Sequence, residues 1–316
     1  MSDAPRRWRR VDGVLLLDKP AGASSNAVLQ RARRLFAAEK AGHTGTLDPL
    51  ASGLLPVCFG EATKFAQVLL DAEKRYRATV RFGASTTTGD AEGEVVARGP
   101  ESVDAAALRA VLERFVGPQA QVPPRHSALK HEGRAHYEYA RAGIDVPRPP
   151  RAIEIHSLRL HSLDGPLAVV DVACSKGTYV RVLAEDLGVA LGTCAHLAAL
   201  RRTGTGGFDV CDAATLDAIE ALDLVARDRL LLAVDAPLAA LPRLDLAADA
   251  ARALWCGRSV IAPGVAPARY RAYDAAGAFV GVVVHADGRI AAERMMRTGE
   301  PGDVPALPTP QSGRST

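Results

Sequence analysis

The chain has 316 residues, long for one compact domain and comfortable for two, and 48% of them are hydrophobic, enough for a substantial core. Its five cysteines lie far apart without a CxxC pair, which argues against a zinc site or a disulfide scaffold and fits a reducing cytoplasm. The N-terminus does not read as a signal peptide, and no apolar run reaches the roughly 18 residues that cross a membrane. We therefore expect a soluble cytoplasmic protein without membrane contact.

The chain begins with a basic segment, MSDAPRRWRR (1–10), that we predict to be a flexible tail. The apolar run GVLLL (13–17) then predicts a short buried strand. Ser24 and Ser25 offer a helix N-cap, and apolar residues recur after them at helical spacing. We predict a helix here that ends at Gly42.

The next segment, KRYRATVRFG (74–83), alternates between apolar and basic residues and predicts a strand with Tyr76 on its apolar face. The polar stretch 85–94 is predicted to be a loop, and apolar spacing predicts a helix over 108–115. Residues 117–151 hold six prolines and many basic residues around the short helical patch RAHYEYARAG. So long a stretch without a strong core pattern predicts a functional or mobile insert.

Strand patterns return at 152–163 and 167–175, and they precede a predicted helix over 178–188 and a strand at 195–202.

The C-terminal third carries Ala/Leu-rich helices and then a segment, 237–246, that is predicted to be a linker. Short alternating strands follow, broken by Ala-Ala-Gly and Asp-Gly hairpin signals. We therefore predict a large domain over 11–243, a small β domain over 244–308 and a disordered tail over 309–316.

The stretch GHTGTLDPLASGLLP (42–56) places one carboxylate, Asp48, in a glycine-rich loop directly before a proline. Its glycines leave room for close approach of a ligand. His43 puts a ring on the approach to this acid. An Asp followed by Pro49 is also a common helix cap, so Asp48 is open to capping and to catalysis.

Five separated motifs, in the right order, resemble those of the TruB family of tRNA pseudouridine synthases. The likeness spans almost all of residues 11–210. The motifs are GVLLLDKPAGASSN (13–26), GHTGTLDPLASGLLP (42–56), KRYRA (74–78), SKGTYVRVLAEDLG (175–188) and LRRTGTGGF (200–208). The resemblance implies an α+β pseudouridine synthase fold, a mixed, mainly antiparallel sheet flanked by helices. A small PUA-like C-terminal β domain that binds RNA would complete it.

The activity implied by the resemblance is isomerisation of uridine at position 55 in the T-loop of tRNA, with base flipping and an essential aspartate. The reaction breaks the glycosidic C–N bond and rejoins the base through C5, so no electron or group passes to a cofactor. We therefore expect no cofactor and no metal, in keeping with a chain that has no P-loop and no GxGxxG after a strand. An aspartate, with a reference pKa of about 3.9, is anionic at neutral pH without a helper base.

By the same resemblance Asp48 is the catalytic residue, supported by Arg181 and Tyr76. Arg181 would hold the carboxylate charged and oriented through two hydrogen bonds, since a guanidinium is always protonated. Tyr76 would stack on the target uracil and assist removal of the C5 proton. Its phenol is a weak base at neutral pH, so stacking is the favoured role. Core packing is the alternative for this tyrosine.

Five further residues are predicted to bind the substrate. His43 would insert into the T-loop and take the stacking place of the flipped uridine. Tyr179 would contact the substrate, and Leu200 would form an apolar floor beneath the base, with core packing as its alternative. Lys19 and Lys130 are predicted phosphate contacts, and Lys19 has the alternative of a solvated turn residue.

The expected partner is the T-stem-loop of tRNA, bound by a monomer without a guide RNA. Two alternatives stay open, a guide-RNA-dependent synthase acting on ribosomal RNA and a non-catalytic tRNA-binding chaperone. The basic insert at 117–151, predicted to clamp RNA, favours stand-alone recognition. The acid–arginine pair disfavours a chaperone. His126 stands where an aromatic residue is expected, which leaves open how the insert grips RNA.

Overall fold

The computed structural model describes residues 8–297. The first seven residues of the predicted basic tail and the whole predicted tail at 309–316 lie outside the described residues. The chain divides between Ala233 and Val234 into two compact units. Among residues 8–297, no helix is long and apolar enough to cross a membrane.

Over its described residues, 8–233, the first unit contains fourteen strands and seven α-helices. The strands are β1 (Gly13–Lys19), β2 (Ala41–His43), β3 (Ser52–Phe59), β4 (Lys74–Phe82), β5 (Ala84–Thr86), β6 (Val95–Arg98), β7 (Gly117–Gln121), β8 (Lys130–His131), β9 (Arg134–Ala135), β10 (Arg151–Asp164), β11 (Leu167–Cys174), β12 (Ala195–Thr205), β13 (Phe208–Asp209) and β14 (Ala214–Thr215). The helices are α1 (Ser25–Leu35), α2 (Ala66–Asp71), α3 (Ala105–Arg114), α4 (His136–Arg141), α5 (Val180–Ala190), α6 (Leu216–Glu220) and α7 (Leu224–Asp228).

Ten of these strands form one sheet in the order β14-β1-β3-β12-β4-β11-β10-β7, with β2 paired to β3 and β13 to β12. Only the β1–β14 and β3–β12 pairs are parallel. The predicted mixed, mainly antiparallel sheet is therefore confirmed. The one parallel junction inside the sheet, β3 beside β12, brings the end of the 42–56 loop next to the LRRTGTGGF motif.

Helices cover the sheet over two apolar clusters. One cluster joins α3 and α5 to β4, β10, β11 and β12, and the other joins α1 and α6 to β1 and β3. The predicted alternation in β4 is confirmed, because Ala78, Val80 and Phe82 are buried at every second position. Apolar burial of helices against strands thus stabilises the sheet that carries the acid loop.

Two local predictions are wrong and one is correct in part. The first helix ends at Leu35 rather than Gly42, because Ala37 adopts a positive φ of 47° and Gly42 lies within β2. The predicted loop at 85–94 is confirmed for residues 87–94, whereas Ser85 and Thr86 belong to β5, which pairs with β6 around that loop. Residues 117–121 belong to the main sheet as β7, so the irregular part of the insert begins only after Gln121.

Between residues 234 and 297, the part of it that the structure describes, the second unit contains a five-stranded sheet and one α-helix. Its elements are β15 (Arg243–Asp245), α8 (Ala248–Trp255), β16 (Val260–Ile261), β17 (Ala268–Tyr273), β18 (Phe279–Ala286) and β19 (Arg289–Met295). The strand order is β15-β17-β18-β19-β16, and the predicted hairpins connect β17 to β18 and β18 to β19. The predicted linker at 237–246 is wrong, because β15 pairs with β17 and Leu238 and Leu246 are buried.

Candidate active site

The loop between β2 and β3, residues 44–51, carries Asp48 and is fixed at several points. Thr44 N donates to Pro56 O at 3.0 Å, and Leu47 exchanges two hydrogen bonds with the buried Ser25 hydroxyl, at 2.8 and 2.9 Å. Ala51 N donates to Asp48 O at 3.0 Å and closes a turn with Pro49 at its second position. Asp48 therefore begins a turn, and the helix-cap interpretation is wrong.

Arg181, on the first turn of α5, is the cation beside this acid. Its side chain is only 5% exposed, and Nε lies 3.0 Å from Oδ2 of Asp48. Its other two nitrogens point elsewhere: Nη1 donates to Thr88 O at 3.0 Å and Nη2 to His126 O at 2.8 Å. The pairing is confirmed in geometry, but the expected two-point grip is wrong. Arg181 holds Asp48 by one nitrogen and is itself held by two carbonyls.

A second carboxylate, Asp90, lies on the other side of Arg181 and was missed in the sequence. Its Oδ2 is 3.6 Å from Nε of Arg181, and its side chain is 5% exposed. Thr88 Oγ1 and Glu92 N both donate to Oδ1, at 2.5 and 3.1 Å. Asp90 sits in the stretch interpreted as a polar loop. Its one sequence signal is an acid between Gly89 and Ala91 in a Thr-rich turn, which does not separate it from a surface residue.

The two oxygens of Asp48 have different surroundings. Oδ2 faces Arg181, whereas Oδ1 has no hydrogen-bond partner among residues 8–297, and the side chain is 41% exposed. Burial raises the pKa of Asp48 and the nearby Asp90 raises it further, while Arg181 and Lys19 oppose them. One oxygen is thus anchored and the other is free to act on a ligand.

Tyr76 and Leu200 lie on one face of the sheet, where β4 and β12 run antiparallel. Leu200 pairs with Ala78, and Tyr76 pairs with Arg202 in the same register. Both side chains are partly buried and pack against the larger apolar cluster. Burial raises the pKa of the Tyr76 phenol, so it stays neutral near pH 7. Both residues therefore contribute in part to the core, which was the alternative interpretation. The neutral ring of Tyr76 is also suited to stacking on a base.

Tyr179 is the N-cap residue of α5, with an extended backbone, and its main chain exchanges two hydrogen bonds with the Gln121 side chain. Burial raises the pKa of its phenol. Tyr179 has an extended backbone whereas Arg181 is already helical, so their side chains do not share the geometry of a single strand. The main chain of Tyr179 therefore joins β7 to the start of α5 beside the site.

A cleft of about 660 Å³ opens above Asp48. Helix α1 contributes its N-terminal residues, the end of β2 contributes His43, and the 44–51 loop contributes Asp48. The insert contributes Tyr137 and Arg141 of α4 and the His126 segment. Burial and the nearby Arg202 lower the pKa of His43, and its Nδ1 has no partner. The structure thus brings together Asp48, Arg181 and His43 with the insert.

Lys19 does not lie where a phosphate contact was predicted. Its side chain is fully buried, and Nζ donates to the carbonyls of Pro20 and Ala23 at 2.8 and 2.6 Å. Burial lowers its pKa to about 8. Both sequence interpretations, phosphate contact and solvated turn residue, are contradicted by this burial. Lys130, in contrast, is exposed on β8, where a phosphate can reach it.

Solved structures share the fold. A chain in the crystal structure of a Cbf5-Nop10-Gar1 complex matches with a TM-score of 0.68 at 24% identity, over 90% of this chain and 84% of that one. A chain in the structure of an H/ACA RNP bound to a substrate RNA containing 2'-deoxyuridine gives 0.68 at 22% identity, over 94% and 92%. These likenesses carry the fold alone.

Two family models define the class. Residues 33–180 match the TruB family pseudouridylate synthase N-terminal domain, and residues 181–239 match the tRNA pseudouridylate synthase B C-terminal domain. The class that the fold and the site define is therefore the pseudouridylate synthases.

Curated relatives are similar along most of the chain. The tRNA pseudouridine synthase B of Thiobacillus denitrificans is 54% identical over 91% of this chain and 97% of its own. The tRNA pseudouridine synthase B of Chromobacterium violaceum is 57% identical over 78% and 81%. The chain belongs to the TruB family.

Proposed function

We propose that this chain is an isomerase that converts a uridine of tRNA to pseudouridine, at position 55 of the T-loop. The observation that carries the proposal is a half-exposed carboxylate, Asp48, anchored by the buried Arg181 at 3.0 Å on the floor of a cleft. Relatives of 50–57% identity named tRNA pseudouridine synthase B support the substrate.

The geometry suits the isomerisation as follows. The glycosidic bond of the target uridine is broken and the base rejoins the sugar through C5, so the enzyme needs an anion beside the reacting atoms and a surface for the free base. The unpartnered Oδ1 of Asp48 would supply the anion. Tyr76 would stack on the base and Leu200 would lie under it. Arg181 would keep Asp48 charged and aimed.

Substrate binding would require the target base to leave the T-loop stack. His43 stands at the cleft rim and carries a neutral ring, since burial lowers its pKa. We assign it to the space left by the flipped base, where a ring recovers part of the lost stacking. Tyr179 would contact the substrate from the start of α5, and Lys130 a phosphate from the exposed hairpin of the insert.

Stand-alone recognition is favoured over a guide-RNA-dependent reaction by one feature. The insert lies over the cleft with Tyr137 and Arg141 exposed, so this chain itself supplies a ring and a cation at the entrance. We propose that the enzyme works as a monomer in the cytoplasm. Five free cysteines are compatible with that compartment.

The test is pseudouridine mapping on an unmodified tRNA transcript with purified protein and no added guide. Pseudouridine at position 55 in the wild type, and none with Asp48→Ala, is the expected result. Modification only after a guide RNA is added would favour the guide-dependent alternative. Tight tRNA binding without any pseudouridine would favour the chaperone.

A further inference from the structure

Arg202 is among the largest fully buried side chains of the first unit, at 1% exposure, and has no described role in the reaction. It lies on β12 in the LRRTGTGGF motif, directly opposite Tyr76 of β4. No carboxylate within residues 8–297 forms an ion pair with it. A buried guanidinium is costly unless its N–H groups are satisfied, so its partners define its role.

Those partners are the two ends of the segment that carries Asp48. Nε donates to Leu54 O at 2.6 Å, and Nη2 donates to Gly45 O at 3.1 Å. Gly45 precedes Asp48 and Leu54 follows it, so one side chain joins the chain before the acid to the chain after it.

The main chains of β3 and β12 approach closely at the same point. Gly53 has a φ of 100°, and a Cβ there would lie 2.2 Å from the main-chain oxygen of Arg202, so only glycine fits. A Cβ at Gly45 would lie 3.4 Å from Nη1 of Arg202, an ordinary van der Waals distance. The close approach of the strands places the Arg202 side chain between Leu54 and Gly45.

The charge of Arg202 also reaches groups at the reaction centre. Its charge lowers the pKa of the Tyr76 phenol against the effect of burial. It contributes, after burial, to the lowered pKa of His43 and of the buried Lys19 and Lys74. The charge of Arg202 thus acts on Tyr76, its cross-strand neighbour, and on His43.

We infer that Arg202 is a positioning residue for the isomerisation, which holds both ends of the segment that carries Asp48 in place beside Tyr76. The inference rests on the proposed function. A lysine cannot reproduce it, because one ammonium does not present two nitrogens in the fixed geometry that spans Gly45 O and Leu54 O.

The central experiment compares Arg202→Lys with Arg77→Lys. Arg77 is the matched control, since it lies on the exposed face of β4 beside Tyr76 and pairs only with Asp171 at the surface. Single-turnover rates at saturating tRNA should fall by about tenfold or more in Arg202→Lys, with tRNA Kd within about threefold, because misplacing a reacting group lowers the rate more than binding. Arg77→Lys should match the wild type in both.

Two readouts need no activity. Amide hydrogen exchange of peptides covering 42–56, without RNA, should quicken in Arg202→Lys and stay unchanged in Arg77→Lys, while peptides of α3 and β10 stay protected in both. In Arg202→Gln, which removes the charge, the His43 ring followed by NMR should show a higher pKa than in the wild type.

The outcomes separate the two proposals. A wild-type single-turnover rate in Arg202→Lys overturns the inference, and so does its loss of the folded state, which would assign Arg202 to general stability. Should Arg202→Gln not fold, the rate and exchange of Arg202→Lys decide alone. If the wild type is inactive on tRNA, the proposed function is contradicted. If hydrogen exchange in 42–56 is nevertheless faster in Arg202→Lys, the structural part of the inference, that Arg202 holds this segment, is still supported.

Discussion

The carboxylates of Asp48 and Asp90 share one nitrogen. Nε of Arg181 lies 3.0 Å from Oδ2 of Asp48 and 3.6 Å from Oδ2 of Asp90. The two acids differ in access, since the Asp48 side chain is 41% exposed and that of Asp90 is 5% exposed. The more exposed acid lines the cleft, and the buried one balances the charge of an arginine whose side chain is almost fully buried.

Asp48→Asn should abolish pseudouridine formation and leave tRNA affinity within a few fold, because the amide keeps the shape and loses the anion. Single-turnover assays and a tRNA binding titration measure the two effects. Residual product at a rate near that of the wild type would remove Asp48 as the essential acid.

Asp48→Asn should also change how the free energy of unfolding depends on pH. Burial raises the folded-state pKa of Asp48, so folded protein holds its proton to higher pH than unfolded chain does. The wild type should therefore lose stability relative to Asp48→Asn as pH rises above the ordinary value of 3.8. Urea unfolding at pH 4 and pH 7 checks this, and a difference that moves the other way would contradict the assigned shift.

Arg181→Lys should be severely impaired although the charge is kept. The guanidinium reaches three acceptors at once, the Asp48 carboxylate and the carbonyls of Thr88 and His126, which a single ammonium cannot do in this geometry. A loss of about a hundredfold in the single-turnover rate is expected, the scale of a misplaced catalytic group. A rate close to that of the wild type would show that the charge alone suffices.

Asp90→Asn should shift the acid limb of the pH–rate profile to lower pH. The negative charge of Asp90 raises the pKa of Asp48, so its removal lets Asp48 ionise at lower pH. Rates measured from pH 4.5 to pH 8 test the direction, with Asp171→Asn as a surface control. An unchanged limb would mean that another group sets it.

The lowered pKa of Lys19 should give a pH dependence of stability opposite in sign to that of Asp48. Its folded-state pKa is about 8 against an ordinary 10.5, so between these values the unfolded chain binds more protons than the folded protein. Stability from this residue is therefore gained as pH rises through that window. The wild type should gain in free energy of unfolding relative to Lys19→Met from pH 7 to pH 10. A constant difference would argue that Lys19 is not buried as an ammonium.

Substrate selection should follow loop shape. A T-stem-loop minihelix should be modified about as well as full tRNA, and an unstructured RNA of the same sequence poorly, since an A-form major groove is too narrow to be read. Binding should weaken as salt rises, because phosphate contacts release counterions. Comparing kcat/KM on both RNAs at two salt concentrations tests both statements, and equal rates on folded and linear RNA would contradict the first.

The sequence by itself determined the elements whose signals are local. Alternation along 74–83 placed Tyr76 on the inner face of a strand, one of the two offered caps, Ser24, is the cap of α1, and the local pattern predicted α3 and α5. The five ordered motifs identified the family by resemblance. Two of them contain Asp48 and Arg181, so the same resemblance identified the acid–arginine pair.

Only the tertiary structure decided which of these residues contact the same arginine and which line the same cleft. No local pattern reveals the partners of Asp90 and Arg202, since these lie 91 and 157 residues away along the chain, at Arg181 and Gly45. Lys19 was misjudged for the same reason: a lysine in a turn is usually solvated, and only the closing of the chain around its ammonium, with carbonyls at 2.6 and 2.8 Å, buries it. The free-energy cost of burying a charged side chain depends on hydrogen-bond and ionic partners that lie far away in the sequence. A local sequence pattern does not show those partners.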